Sequence, residues 1–163
     1  MNMTDIRHII ERINELFEEE YFKDYEEKYN LNPSKYEKEE FIVEMFTRGG
    51  CAIYGEFLYD IFKDYGASLV ISKDHVLMKM GYLFYDVTGL NLDPTYDGFD
   101  EFNLENQKDV EDFEYYKDVV CQLYFDARKK KYEKCIKVLN TIRDQIKEEV
   151  ITINGEKVKK LEK

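Results

Sequence analysis

Residues 66–89 read GASLVISKDHVLMKMGYLFYDVTG, and this stretch decides the fold class. It contains three short runs rich in β-branched, aromatic and long apolar residues, at 67–72, 75–80 and 82–87, with Lys73-Asp74 and Gly81 between them. Such runs, punctuated by turn formers, predict three strands joined by tight hairpins. Side chains alternate across a strand. One face of the last two strands therefore carries Val76, Met78, Met80, Leu83, Tyr85 and Val87, all apolar. His75 and Asp86 fall together on the other face. A loop of Gly81-Tyr82 pairs Leu77 with Asp86, whereas a loop of Met80-Gly81 pairs His75 with Asp86 directly. Either register leaves the two polar residues about 5–8 Å apart at Cβ.

Helical periodicity flanks this stretch. Upstream, Tyr54, Leu58, Ile61, Phe62 and Tyr65 recur at steps of three and four, with Cys51 on the same face. They predict a helix that starts at or near Cys51, just after Gly49-Gly50, and stops at Gly66. A helix is expected over about 35–47, with Phe41, Ile42, Met45 and Phe46 inward, and another over 4–28, carrying the stripe Ile6, Ile9, Ile10, Ile13, Leu16, Phe17. Asn32-Pro33-Ser34 separates those two. Downstream, residues 89–108 read as a loop and two helices are expected at about 109–130 and 132–148. Val150-Ile151-Thr152-Ile153 before Asn154-Gly155 predicts a hairpin over 149–161, since Asn-Gly suits a two-residue turn.

The order is helices, strands, helices, hairpin, which is an α+β pattern. The expected architecture is a small antiparallel sheet packed against a central Cys-bearing helix, flanked by N- and C-terminal helices, with a C-terminal hairpin. The 163 residues fit one domain. Within it, 1–48 forms the N-terminal helices, 49–90 a core holding Cys51, His75 and Asp86, and 91–163 an acidic loop, helices and the hairpin.

Charge narrows the function. The chain carries a net −11. Residues 128–163 hold 12 Lys+Arg against 6 Asp+Glu, so the first 127 hold 12 against 29. An acidic body argues against direct nucleic-acid binding, which requires phosphate neutralisation, and against an anionic membrane surface. No signal peptide is legible, and no run approaches the ~18 apolar residues of a membrane span. Three cysteines without paired spacing fit a reducing compartment, so a cytoplasmic location is expected.

Only two histidines exist. His8 lies opposite the Ile6/Ile9/Ile13 stripe and is expected in solvent. His75 opens a strand beside core residues, which makes it the candidate general base. Cys51 at a helix start is the candidate nucleophile, because the positive end of a helix favours thiolate. Its amide could donate to a developing oxyanion, and Gly49 and Gly50 would let a substrate backbone come close. Asp86 is typed to orient an imidazole.

Gly49-Gly50-Cys51 leading an aromatic-rich helix, a strand opening at His75, and Tyr85-Asp86-Val87 in the next strand resemble the core of transglutaminase-like and papain-like cysteine proteins. The resemblance covers about residues 47–90. It implies a thiol nucleophile at Cys51, a general base at His75 and an orienting acid at Asp86. It also implies a hydrolase or acyltransferase (peptidase, amidase or transglutaminase-like) acting on an amide or isopeptide bond of a protein or peptide substrate, with no cofactor. One departure is the lack of any Gln before Gln107 to serve as an upstream oxyanion donor.

Blander readings stand beside these. Cys51 could be a small buried hydrophobe, His75 could end a turn against Asp74, and Asp86 could cap the turn at Thr88-Gly89. Cys121 and Cys135 are expected in the core, and no four-ligand zinc spacing exists. Asp97-Gly98-Phe99-Asp100 lacks the alternating oxygens of a calcium loop. The acidic run from Asp93 to Asp118 reads as a solvated face. Alternatively it mimics a nucleic-acid backbone and occupies a basic host protein, as phage-encoded inhibitors of host defence do. A pseudo-enzyme scaffold is the third reading. Tyr21, Tyr25, Tyr29 and Tyr36 fit either helix packing or a contact surface.

Overall fold

In the computed structural model the backbone is described for residues 1–162, and side chains for 1–119 and 127–156. The chain is α+β. Helices α1 (Met3–Phe22), α2 (Tyr25–Tyr29), α3 (Lys35–Thr47) and α4 (Cys51–Phe62) precede strands β1 (Ser68–Ser72), β2 (His75–Met80), β3 (Leu83–Asp86) and β4 (Gly89–Leu90). Helix α5 (Asp93–Asp97), strand β5 (Asp100–Phe102), and helices α6 (Gln107–Ala127) and α7 (Lys129–Glu162) complete it. The sheet is antiparallel with strand order β4-β3-β2-β1-β5.

The two sheet faces differ. Met78, Met80, Tyr85 and Val87 join the main core with α1, α3, α4 and α7. On the opposite face Val70, Leu77 and Phe84 make a small separate cluster, where Phe99 packs its ring 4.8 Å from Phe84. That division follows the alternation read from the sequence. Met80 pairs with Leu83, so the loop is Gly81-Tyr82, and Gly81 takes φ +61°.

Helix α4 lies against the core face of the sheet, and Gly55 permits the approach. A Cβ at Gly55 would stand 2.9 Å from Val76 Cγ1 and 3.6 Å from Leu69 Cδ2. The helix therefore presses on the strand residue that follows His75, one turn after Cys51.

Four local expectations are corrected. The first helix does not run unbroken to residue 28. It ends at Phe22, and α2 restarts at Tyr25. The turn brings Tyr25 against Phe22 and Tyr21, with centroids 4.7 and 5.9 Å apart, while Tyr29 and Tyr36 stay exposed. Residues 89–108 are not wholly a loop, since they contain β4, α5 and β5. Strand β5 is acidic because it is a sheet edge, where Glu101 meets Lys79 at 3.0 Å and Ser68 at 2.8 Å.

The expected C-terminal hairpin is absent. Residues 149–161 continue α7 as a helix. Val150 is buried and Glu149 accepts two hydrogen bonds from Arg12 of α1 (2.9 and 3.3 Å). Packing along α1 outweighs the local turn preference of Asn154-Gly155, as tertiary context commonly does. Finally, the helices expected at 109–130 and 132–148 are observed at Gln107–Ala127 and Lys129–Glu162. The side chain of Cys121 lies outside the described residues. Cys135 is buried in the main core, and burial pushes its thiol up to about 12.

Candidate active site

Cys51, His75 and Asp86 meet at one end of the sheet. Cys51 is the first residue of α4, His75 the first of β2, and Asp86 the last of β3. Leu77 stands opposite Asp86 in the register that Met78↔Tyr85 sets, so His75 reaches the carboxylate on a diagonal. His75 Nε2 lies 2.8 Å from Asp86 Oδ2. The Cys51 side chain also interacts with the imidazole and favours its protonated form. With Nε2 engaged by the carboxylate, Nδ1 is the nitrogen left for sulfur.

Asp86 is 4% exposed, yet well supplied with donors. Besides His75, Oδ2 accepts from Asn91 Nδ2 at 3.0 Å. Oδ1 accepts from the Thr88 amide at 2.8 Å and from the Thr88 hydroxyl. Asp86 caps the following turn through Oδ1, and its Oδ2 faces the imidazole, so each carboxylate oxygen has its own partners. Burial alone would raise the Asp86 pKa, but the donors from His75, Thr88 and Asn91 outweigh it and hold it below the usual carboxylate range.

For His75, burial would lower the pKa. Hydrogen bonds to Asp86 and Cys51, with electrostatic attraction from both, reverse the sign and raise it to about 9. Both neighbours favour the protonated ring. His8 is exposed.

Thr88 entered the sequence reading only as part of the turn that Asp86 caps, and Asn91 was not singled out. The turn formers after Asp86 were the available signal, but only the fold back of β4 places Asn91 on the carboxylate. Gly55 was likewise missed. Behind the site Tyr54, on α4, donates its hydroxyl to Asn14 Oδ1 at 2.8 Å, and Asn14 donates to the Val87 carbonyl at 2.9 Å. This ties the cysteine helix to the end of β3. Tyr132 of α7 donates to the Arg48 carbonyl at 2.9 Å, which braces the loop before Cys51.

Gly49 and Gly50 have a structural reason of their own. Gly50 is buried, and a Cβ there would stand 2.2 Å from the Met45 carbonyl oxygen. Gly49 takes φ +98°. Both glycines serve the turn from α3 into α4. A cavity of about 370 Å³ opens on His75 and Asp86, and its walls include Thr47, Thr88, Asn91 and Pro94, with neither glycine among them. Cys51 is 2% exposed, does not line this cavity, and belongs to a cluster of apolar side chains. A larger groove of about 580 Å³ lies between α1 and α3, lined by glutamates such as Glu11, Glu15 and Glu18.

Comparison with known proteins found no match to this chain among family models, curated proteins or solved structures. Among the described residues, no helix is long and apolar enough to cross a membrane.

Proposed function

We propose that this protein performs cysteine-dependent acyl transfer on an amide or isopeptide bond, in the manner of the transglutaminase-like and papain-like proteins its 47–90 segment resembles. One observation carries the reading: a carboxylate with four donors holds an imidazole that in turn interacts with the side chain of a cysteine at a helix start. A salt bridge alone does not need Asn91 beside His75 on Oδ2 and Thr88 on Oδ1. A buried carboxylate kept ionised is what an imidazolium formed during proton transfer requires.

The chemistry follows from the three roles. The Cys51 sulfur, as thiolate, attacks the carbonyl carbon and forms a tetrahedral intermediate. Its collapse breaks the C–N bond and leaves a thioester, while the His75 imidazolium gives its proton to the departing amine. Water or a second amine then attacks the thioester, and His75 takes the proton from that nucleophile. The product is a carboxylic acid or a new amide, and the thiolate and imidazolium are restored. Asp86 keeps the ring in the orientation that serves both half-reactions.

A pseudo-enzyme scaffold is a second reading, favoured by the 2% exposure of Cys51. Iodoacetamide labelling of Cys51 across pH separates the two. An active nucleophile labels with a midpoint well below the ordinary thiol value of about 8.5, and His75→Ala moves that midpoint upward. An ordinary midpoint that ignores His75→Ala overturns the enzyme reading.

A further inference from the structure

Cys51 belongs to an apolar cluster distinct from the main core. Its other members are Ala52, Leu69, Ile71, Val76, Phe102 and Phe113. Five of these come from α4 and the sheet, which form a floor and one wall. Phe113 comes from α6 and is 1% exposed. Its ring meets Phe102 edge-on at 5.6 Å.

Over its described side chains, α6 buries little else. Among its described side chains, 107–119, Phe113 alone is buried, while Tyr115, Tyr116 and Val119 are exposed. The remaining tie to α4 is Lys117, which lies 3.2 Å from Glu56 and 5.8 Å from the Phe113 ring centroid. Burial raises the Glu56 pKa although Lys117 works against it. The Phe113 ring, the Tyr116 ring 6.0 Å from Phe102, the Asn103 amide on Asp109 at 2.9 Å and the Lys117–Glu56 ion pair anchor this part of α6, mostly at its surface. Segments with few buried apolar contacts open at low free energy.

We propose that Phe113 is a removable plug in an apolar socket beside Cys51, and that the socket receives an aromatic or large aliphatic side chain of the substrate when α6 lifts. The proposal rests on Cys51 being the nucleophile. It supplies what that reading needs, a route to a buried sulfur, and it assigns the substrate side chain that flanks the reacting carbonyl. The socket floor of Leu69, Ile71 and Val76 is apolar and offers no partner to a charged group. The polar cavity at His75, which none of the apolar cluster lines, is left for the leaving amine and for water.

The test compares alkylation of Cys51 by iodoacetamide and by N-benzyl-iodoacetamide, read by mass spectrometry of the Cys51 peptide. Phe113→Ala should label about tenfold faster than the intact chain, with a larger gain for the benzyl reagent because its ring enters the emptied socket. Phe113→Leu, which refills the socket, should stay slow. Lys117→Ala should speed both reagents by releasing the helix. Equal rates in Phe113→Ala and the unsubstituted chain, or no advantage for the benzyl reagent, overturn the proposal. If Phe113→Ala loses cooperative unfolding, Lys117→Ala decides: faster labelling supports the plug, and an unchanged rate overturns it. A faster rate with an ordinary thiol midpoint supports the socket and overturns only the nucleophile reading.

Discussion

His75 Nε2 and Asp86 Oδ2 lie 2.8 Å apart, joined across a diagonal of the β2–β3 hairpin, and the other carboxylate oxygen is capped by the next turn. The carboxylate is thereby fixed by its own strand end before the ring arrives. Orientation of the imidazole is a property of the hairpin more than of the helix.

Removing the charge of Asp86 should therefore be felt first at His75. In Asp86→Asn the His75 pKa should fall from about 9 toward its ordinary 6.5. The new amide also faces the Asn91 amide, so about 2 kcal/mol of stability should be lost. NMR titration of the ring and urea unfolding measure the two effects. A His75 that still titrates near 9 in this variant would show that Asp86 does not control it.

The same pair makes stability depend on pH. The folded pKa of His75 lies above its ordinary value, so the folded chain holds this proton more tightly than the unfolded chain. That stabilisation is complete below about 6.5 and disappears as pH rises through about 9. Asp86 is shifted downward, so its contribution is present above 3.8 and is lost as pH falls through its folded pKa. The gap in urea midpoint between the intact chain and His75→Gln should narrow steadily from pH 6.5 to 9. A gap that stays constant over that window contradicts the raised pKa.

The glycines around Cys51 should rank by what a methyl group would hit. Gly50→Ala meets a backbone carbonyl at 2.2 Å, which has no rotamer to change, whereas Gly55→Ala meets the Val76 side chain at 2.9 Å. Gly50→Ala should cost the upper part of the about 1–3 kcal/mol range for overpacking, and Gly55→Ala the lower part. Gly55→Ala should also raise the pH midpoint of Cys51 alkylation, because it moves α4 off β2. Denaturant midpoints in the reverse order would refute the packing account.

Gly155 distinguishes the helix from a hairpin. It lies within α7, and a Cβ there would meet nothing within 4 Å. Gly155→Ala should raise helical ellipticity and add roughly 1 kcal/mol, since alanine favours helix over glycine by that amount. In a two-residue turn the same change would force a positive φ on alanine and destabilise the chain. Thermal unfolding followed by circular dichroism reads the sign.

The sequence by itself determined what rests on near neighbours along the chain. The helix that begins at Cys51, the strands that place Val76, Met78, Tyr85 and Val87 on the core face, and the shared side of His75 and Asp86 all follow from periods of 3.6 and 2. Register was narrower in the structure than in the sequence, because either two-residue loop satisfied the same apolar face and only the turn geometry of Gly81 chose between them. Tertiary structure alone decided what depends on contacts between distant segments. Residues 149–161 are helical because Val150 and Glu149 meet α1, against the preference of Asn154-Gly155. Asp100 and Glu101 form a strand because an open sheet edge at β1 accepts them. Gly50 is demanded by the Met45 carbonyl, and Cys51 shares its apolar cluster with Phe113 from more than 60 residues away. Local periodicity fixes which way a side chain points. Only the assembled chain fixes what it then touches.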